Sequence, residues 1–474
     1  MPYSHIVSIV LLSLYAITIL TSIGVVISEN RNPVKSLAWI TVLLLLPVVG
    51  FIIYVFFGRS PKNMVMIPRR YRRRLRNNHM GGPHNHIAET ALSDNNRQLA
   101  EIGWQLLKSP VIEGNDIEIF TSGEDKFEAL KRDLRQASEF IHLQYYIFEN
   151  DRLGHEIREI LMTKAAEGVK VRVIYDHVGS FHLNMKFFRQ MRKAGIEAYP
   201  FLKVNFPEFA NHINWRNHRK VVVIDGKWGY IGGMNIADRY CYGNRLGKWR
   251  DTHLRITGNA VAALEYSFAV DWYFMRREVI EIEPKNIDNA SNDNLMQLVM
   301  SGPVGRWSNI SMIFLKAISG AKRRVYLQTP YFLPSDGLLK ALETAALSGV
   351  DVRVMIPATP DSHLLKYASR SYIKECLQAH IKIYFYDKSM LHSKVIIVDD
   401  DFVTTGSTNF DFRSFEHNFE GNVLVYGREF NKRMSDIFQH DQTDTRRVTL
   451  GTWRRRPLTQ KALESLARLM APIL

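Results

Sequence analysis

The sequence predicts an α/β protein, with two pseudo-symmetric α/β/α lobes preceded by a transmembrane helical hairpin. Three observations carry that expectation. Two long apolar runs open the chain, strands alternate with helices beyond about Pro110, and the same order of elements then recurs. A chain of 474 residues has ample material for two cores. The expected divisions are a hairpin at 1–58, a basic juxtamembrane and linker segment at 59–109, a first lobe at 110–285, a linker at 286–298, a second lobe at 299–440 and a basic amphipathic tail at 441–474.

The first apolar run extends from Ile6 to about Ser28, and the second from about Leu37 to Phe57. Each is long enough to cross a bilayer, and the short polar link between them makes a hairpin. Pro47 is tolerable inside a membrane span and is a place for a kink. A signal peptide is not indicated. The first run lacks a basic n-region and a small-residue cleavage site, and a second span follows at once. Arg59, Lys62, Arg69, Arg70, Arg72, Arg73, Arg74 and Arg76 follow the second run, whereas the link holds only Arg31 and Lys35 beside Glu29. The positive-inside rule then puts the N-terminus and the large C-terminal part in the cytoplasm. The same cluster either meets anionic headgroups or acts only as a topology signal.

A net charge of +15 calls for an anionic partner: nucleic acid, acidic lipid or a phosphorylated substrate. No helix-turn-helix or zinc finger accompanies it, and much of the excess lies beside the spans and in the tail, so nucleic acid is not the expected partner. Cys241 and Cys376 lack zinc spacing and read as buried thiols of a reducing compartment. His79, His84 and His86 sit in a Gly-Pro context without rigid ligand geometry.

From Pro110 onward, Phe140–Phe148 reads as a strand, His155–Glu167 as a helix, Val169–Tyr175 as a strand, Met185–Ala194 as a helix and Ile196–Tyr199 as a short strand. Tyr326–Phe332, Gly349–Met355 and Ile381–Phe385 repeat the pattern, with the polar Asn286–Asn294 between the halves. In the tail, Ala462, Leu463, Leu466, Leu469 and Met470 fall mostly on one side of a helix. Such a helix either docks on the protein, the commoner fate, or lies on a membrane.

One motif occurs twice. His218-Arg219-Lys220-Val221-Val222-Val223-Ile224-Asp225 returns as His392-Ser393-Lys394-Val395-Ile396-Ile397-Val398-Asp399. Small-residue turns follow at the same interval, Gly232-Gly233-Met234-Asn235 and Gly406-Ser407-Thr408-Asn409. The β-branched run reads as a buried strand ended by a turn at the aspartate. On a strand each histidine shares a face with its lysine. An imidazole beside an ammonium on a buried strand is an anion site. One copy alone also fits a core histidine beside a snorkelling lysine, but two matching copies do not.

This doubled pattern resembles the signature of the phospholipase D superfamily, and with the N-terminal hairpin, Asn32-Pro33 and Ala38-Trp39, it is similar to bacterial cardiolipin synthases. The resemblance implies two phospholipase D-like lobes in a multi-pass protein of the bacterial inner membrane. It implies transfer of a phosphatidyl group between two phosphatidylglycerol molecules, with release of glycerol and a phosphohistidine intermediate. His218 is then the nucleophile and His392 the general acid and later base, an order that the symmetry of the two motifs does not supply. Lys220, Lys394, Asn235 and Asn409 hold the phosphoryl oxygens, and no metal or other cofactor is implied. Asp225 and Asp399 complete the two catalytic motifs, although their place at strand ends reads as structural. An acidic residue downstream of each motif orients a histidine. Asp251 and Glu420 occupy those positions, the alternative being surface ion pairs. A membrane-bound phospholipase D that hydrolyses lipid would use the same residues, and a nucleic-acid phosphodiesterase ranks below it. The expected partners are phosphatidylglycerol and anionic membrane lipids.

The segment Val204–Trp215, just before the first motif, has neither helical nor strand periodicity, yet holds Phe206, Phe209, Ile213 and Trp215. It either lines a lipid entry or is an ordinary buried loop.

Overall fold

The computed structural model describes residues 3–28, 33–54, 58, 65–79, 92–180, 185–203, 214–280 and 294–471. The chain divides into two compact units, residues 1–61 with 203–215, and residues 62–202 with 216–474.

In the smaller unit the first apolar run forms one helix, Tyr3–Ser28. Its His5–Ser28 portion, 24 residues, is long and apolar enough to cross a membrane, and among the described residues it is the single helix that is. The second run does not form a continuous span. It makes two helices, Pro33–Leu45 and Pro47–Ile53, broken at Leu46, whose φ of −128° and ψ of 69° are not helical. A proline has no N–H to give to the preceding turn, and the residue before a proline is disfavoured in the helical region. The pieces pack together around buried Val26, Leu43 and Tyr54, with the Trp39 and Tyr54 rings edge to face at 5.3 Å. Arg59, Lys62, His84, His86 and the segment 204–213 with Phe206, Phe209 and Ile213 lie outside the described residues.

The larger unit is built on two large sheets, beside a short two-stranded one formed by Phe332–Leu333 and Phe410–Asp411. In chain order the strands are β1 Asn115–Phe120, β2 Phe140–Tyr145, β3 Lys170–Asp176, β4 Glu197–Phe201, β5 Arg216–Asn217, β6 Val221–Ile224, β7 Trp228–Gly232, β8 His253–Gly258, β9 Leu295–Ser301, β10 Arg324–Gln328, β11 Phe332–Leu333, β12 Asp351–Pro357, β13 Lys382–Tyr386, β14 Val395–Val398, β15 Phe402–Gly406, β16 Phe410–Asp411, β17 Asn418–Tyr426 and β18 Thr445–Val448. The first sheet runs β1-β8-β7-β6-β2-β3-β4. The second runs β17-β15-β14-β10-β12-β13-β18, with β9 and β5 both on β17. Read from β9, it repeats the first strand for strand and adds β18. In each sheet three strands are parallel, β2-β3-β4 and β10-β12-β13, while the motif strands β6 and β14 run antiparallel to β2 and β10.

The motif strands are apolar at every position because both of their faces are covered. Val221 and Val223 of β6 meet Val395 and Ile397 of β14 in one core shared by the two sheets. Val222 and Ile224 point instead into the outer core of the first sheet, and Ile396 and Val398 into that of the second. The histidines and lysines themselves are not on the strands but in the extended segments just before them. Strand β9 starts at Leu295, inside the stretch read as linker, and residues 281–293 lie outside the described set.

Two basic segments are better ordered than expected. Arg69–His79 is a helix that lays Tyr71 against Tyr273, ring centroids 5.3 Å apart, buries Leu75 and turns Arg72, Arg73 and Arg74 outward. The tail forms β18, then the helices Leu450–Arg454 and Leu458–Met470. The last helix does dock on the protein, though not by its leucines. It buries Glu464 and Ala467, because Arg456 answers the Glu464 charge over the Trp453 ring, and it leaves Leu463, Leu466 and Leu469 exposed.

Candidate active site

The two motif segments are stitched each to the opposite half. β5 pairs in parallel with the start of β17, and the His218 N–H donates to the Phe419 carbonyl at 2.9 Å. In the matching place the His392 N–H donates to the Arg250 carbonyl at 2.7 Å. The next residue after each acceptor is a carboxylate, so backbone pairing delivers that carboxylate to the imidazole of the other half. Glu420 Oε1 and Oε2 lie 3.0 and 3.1 Å from His218 Nδ1. Asp251 Oδ2 lies 2.6 Å from His392 Nδ1. The middle residue of each motif fastens the same seam. Arg219 Nε donates to the Glu420 carbonyl at 3.0 Å while its Nη1 binds Asp271, and Ser393 Oγ sits 2.6 Å from Thr252 Oγ1.

The small-residue turns make room for these carboxylates. A Cβ on Gly233 would lie 2.1 Å from Asp251 Oδ1, closer than any atom can approach. A Cβ on Gly406 would lie 2.3 Å from the Gly421 carbonyl oxygen. Where the first turn has Gly233 the second has Ser407, whose hydroxyl donates to Glu420 Oε2. Asn418 Nδ2 adds a bond to Glu420 Oε1 at 3.2 Å, and the Thr252 N–H one to Asp251 Oδ1 at 2.7 Å.

All six of His218, Lys220, Asp251, His392, Lys394 and Glu420 are buried, and they feel one another's charges. Burial lowers the His218 pKa, with Glu420 opposing and Lys220 reinforcing. Burial and Lys394 together pull His392 down to about 3 against the pull of Asp251. Burial brings Lys394 down to about 8, although Asp251 and Glu420 resist it. For the carboxylates burial opposes ionisation, yet Lys394 and His392 keep Asp251 below its ordinary range, and His218 and Lys220 do the same for Glu420. In water-poor surroundings the site therefore holds neutral imidazoles, ionised carboxylates and a lysine poised near neutrality. Lys394 Nζ is 2.7 Å from His392 Nδ1, and Lys220 Nζ donates to the His218 carbonyl at 2.6 Å.

The structure does not bring the motif aspartates to the imidazoles. Asp225 and Asp399 adopt left-handed turns, φ 52° and 49°, a conformation aspartate tolerates. Their carboxylates are taken up by backbone N–H groups: Ser138, Glu139 and Phe140 for Asp225, and Lys322, Arg323 and Arg324 for Asp399. They anchor the segments entering β2 and β10. Asn235 accepts from the Ile147 N–H at 3.2 Å and donates to Tyr240 at 3.2 Å, whereas Asn409 Oδ1 is buried without a hydrogen-bond partner. Several neighbours gave no signal in the sequence. The Tyr240 hydroxyl is 3.2 Å from His392 Nδ1, and the Trp249 ring centroid is 5.2 Å from that imidazole. Tyr146 sits edge-on to His218 at 4.9 Å, and burial, then Asp176, pushes its phenol up to about 12.

Comparison with known proteins gives a consistent picture. The family model described as "Cardiolipin synthase, PLD-like domain" matches residues 130–268 and 314–442, and "Phospholipase_D-nuclease N-terminal" matches residues 16–59. A cardiolipin synthase of a Geobacillus species is 37% identical, with 94% of this chain and 90% of the relative covered. The major cardiolipin synthase of Bacillus subtilis is 38% identical, with 99% of this chain and 100% of the relative covered. Among solved structures, the crystal structure of a phosphatidylserine synthase from Haemophilus influenzae is similar in fold, with a TM-score of 0.61 at 15% identity, covering 79% of this chain and 98% of that one.

Proposed function

Because the chain belongs to the cardiolipin synthase family of the phospholipase D superfamily, we propose that it is a phosphatidyltransferase joining two phosphatidylglycerol molecules at the His218–His392 site. The observation that carries this reading is the crossed pair of histidine–carboxylate contacts, which makes a single site from two halves. The neutral His218 attacks the phosphorus of the first lipid through Nε2, and the phosphorus–oxygen bond to glycerol breaks. His392 gives its Nε2 proton to the departing glycerol oxygen. A second phosphatidylglycerol then offers its hydroxyl, His392 takes that proton, and the oxygen displaces His218 to yield cardiolipin.

The second histidine must carry a proton at the right moment although burial keeps it neutral at rest. Lys394, 2.7 Å from Nδ1, is the reservoir. Nδ1–H donates to the ionised Asp251, so the added proton goes to Nε2: a phosphodiester entering beside Lys220 and Lys394 offsets their positive field, and its oxygens carry the proton from Lys394 to Nε2. The residues 110–285 and 299–440 act as the two lobes, supported by the strand-for-strand match of their sheets. His5–Ser28 and the kinked second apolar run together anchor the protein in the bacterial inner membrane, with the arginine-rich helix and the catalytic lobes on the cytoplasmic side.

The test is trapping. His218→Ala and His392→Ala should each remove nearly all turnover, because groups acting as one unit do not lose activity additively. Protein denatured during a reaction with labelled phosphatidylglycerol should carry label on histidine in His392→Ala and not in His218→Ala. The reverse pattern would exchange the two roles, and a large residual turnover in either variant would end the shared-site reading.

A further inference from the structure

The last helix, Leu458–Met470, has three unlike faces. One packs on the protein through Glu464 and Ala467. The second carries Leu463, Leu466, Leu469 and Met470, which are 46%, 62%, 77% and 41% exposed. The third borders a cavity of about 750 Å³ whose walls include Lys374, Arg454, Arg456, Lys461 and Arg468 against the one carboxylate of Glu464, with Leu469 at its rim. Leu469 thus belongs to both the cavity and the apolar row.

Some of that charge is answered. Glu464 pairs with Arg456, and Glu375 with Arg468 at 2.7 Å. Lys461 Nζ donates to the Arg454 carbonyl at 2.8 Å. Lys374 and Arg454 have no carboxylate partner among the described residues, and they face the same cavity. Behind the cavity, burial holds Arg370 below its ordinary range, with Glu464 opposing and Arg456 and Arg446 reinforcing.

A cationic cavity of this size with an exposed leucine row at its lip has the two chemistries of a phospholipid in the right order. Free phosphate or a nucleotide would use the cations and leave the leucines in water, where such a contiguous row is a liability. We propose that this tail is a second lipid site, in which the cavity takes the phosphate headgroup of an anionic phospholipid while Leu463, Leu466, Leu469 and Met470 enter the membrane interface. It is separate from the His218–His392 site, and it rests on the membrane reading above.

The experiment uses the full-length protein in nanodiscs of phosphatidylcholine, with and without phosphatidic acid, and follows hydrogen exchange of the backbone amides of residues 450–471. Phosphatidic acid should protect those amides and leave the two sheets unchanged. Lys374→Gln with Arg454→Gln should raise the lipid fraction needed for half-maximal protection by roughly thirtyfold, as expected for two cations near an anionic surface. Leu466→Ser with Leu469→Ser should abolish the protection. Protection of these amides by millimolar inorganic phosphate in pure phosphatidylcholine discs would overturn the lipid assignment, as would no response to phosphatidic acid or an unaltered response in the charge variant. Cardiolipin formation, followed in parallel with phosphatidylglycerol discs, reports on the catalytic reading independently of these outcomes.

Discussion

The two halves repeat the same sheet, the same motif and the same turn, yet they do not treat their histidines alike. His218 faces a glutamate that is itself held by Ser407 and Asn418. His392 faces an aspartate that fits only because Gly233 has no side chain, and its Nδ1 also meets Lys394 and Tyr240. In the first turn the Asp251 carboxylate occupies the space a side chain at Gly233 would need, and in the second Glu420 leaves room for the Ser407 hydroxyl that binds it, so each half has solved one steric problem differently. The electrical consequence is larger. Both lysines donate to the carbonyl of their own histidine, but Lys394 also lies 2.7 Å from Nδ1 of the imidazole, so the His392 side has a second proton carrier within hydrogen-bond reach, as an acid–base histidine needs. Duplication produced the frame, and the departures from symmetry supply two distinct roles.

The strongest way to break that comparison is to neutralise the carboxylates separately. Asp251→Asn and Glu420→Gln should each slow turnover by on the order of a hundredfold or more, since an amide supports the wrong tautomer and cannot stabilise an imidazolium. They should differ in what accumulates. Glu420→Gln weakens the attacking histidine, so little phosphohistidine should form. Asp251→Asn impairs the acid–base partner, so label should persist on His218 after quenching. Because the carboxylates cross between halves, the opposite pattern would mean that each serves the histidine of its own motif in solution.

A smaller effect separates the turns. Gly233→Ser installs in the first half the residue the second half already has, but there the added Cβ meets Asp251 Oδ1 at 2.1 Å. The melting temperature should fall by the equivalent of about 1–3 kcal/mol, the usual cost of overpacking. Ser407→Gly removes a hydroxyl that donates to Glu420 and accepts from the Gly421 N–H at 3.0 Å, and should cost about 1 kcal/mol. Equal losses in the two variants would mean the halves are sterically interchangeable.

Much of this could be read from residues in a row. The apolar tetrads of β6 and β14, their histidine–lysine pairs and the small turns are local patterns, and the recurrence of the strand order revealed the duplication. What stayed hidden depends on pairing across the chain. The resemblance named Asp251 as a carboxylate that orients a histidine, but not that the histidine is His392, 141 residues later, since that follows from the Arg250–His392 backbone bond. Tyr240 and Trp249 gave no signal in the sequence, and they are core on one side and site on the other. The motif aspartates illustrate the reverse, because their constant place beside catalytic residues reflects the turn they stabilise. In the tail the helical period was legible, but the Arg456–Glu464 pair that inverts the buried face was not.

The gentlest test of the asymmetry is the alkaline limb of the pH profile. Lys394, brought by burial to about 8, is charged below that pH and neutral above it. Because it shares its proton with His392, the pair titrates as one unit, and kcat/KM should be level near neutrality and fall tenfold per pH unit above about 8. Asp251 and, less strongly, Glu420 raise the Lys394 pKa. Removing either negative charge therefore favours the neutral lysine and moves the limb to lower pH. The residual activity of Asp251→Asn should turn down at a lower pH than that of Glu420→Gln, and both should turn down below the unsubstituted protein. A limb that stays level past pH 10, or one that moves equally in the two variants, would mean that the proton is not held at Lys394 and that the second half has no private reservoir.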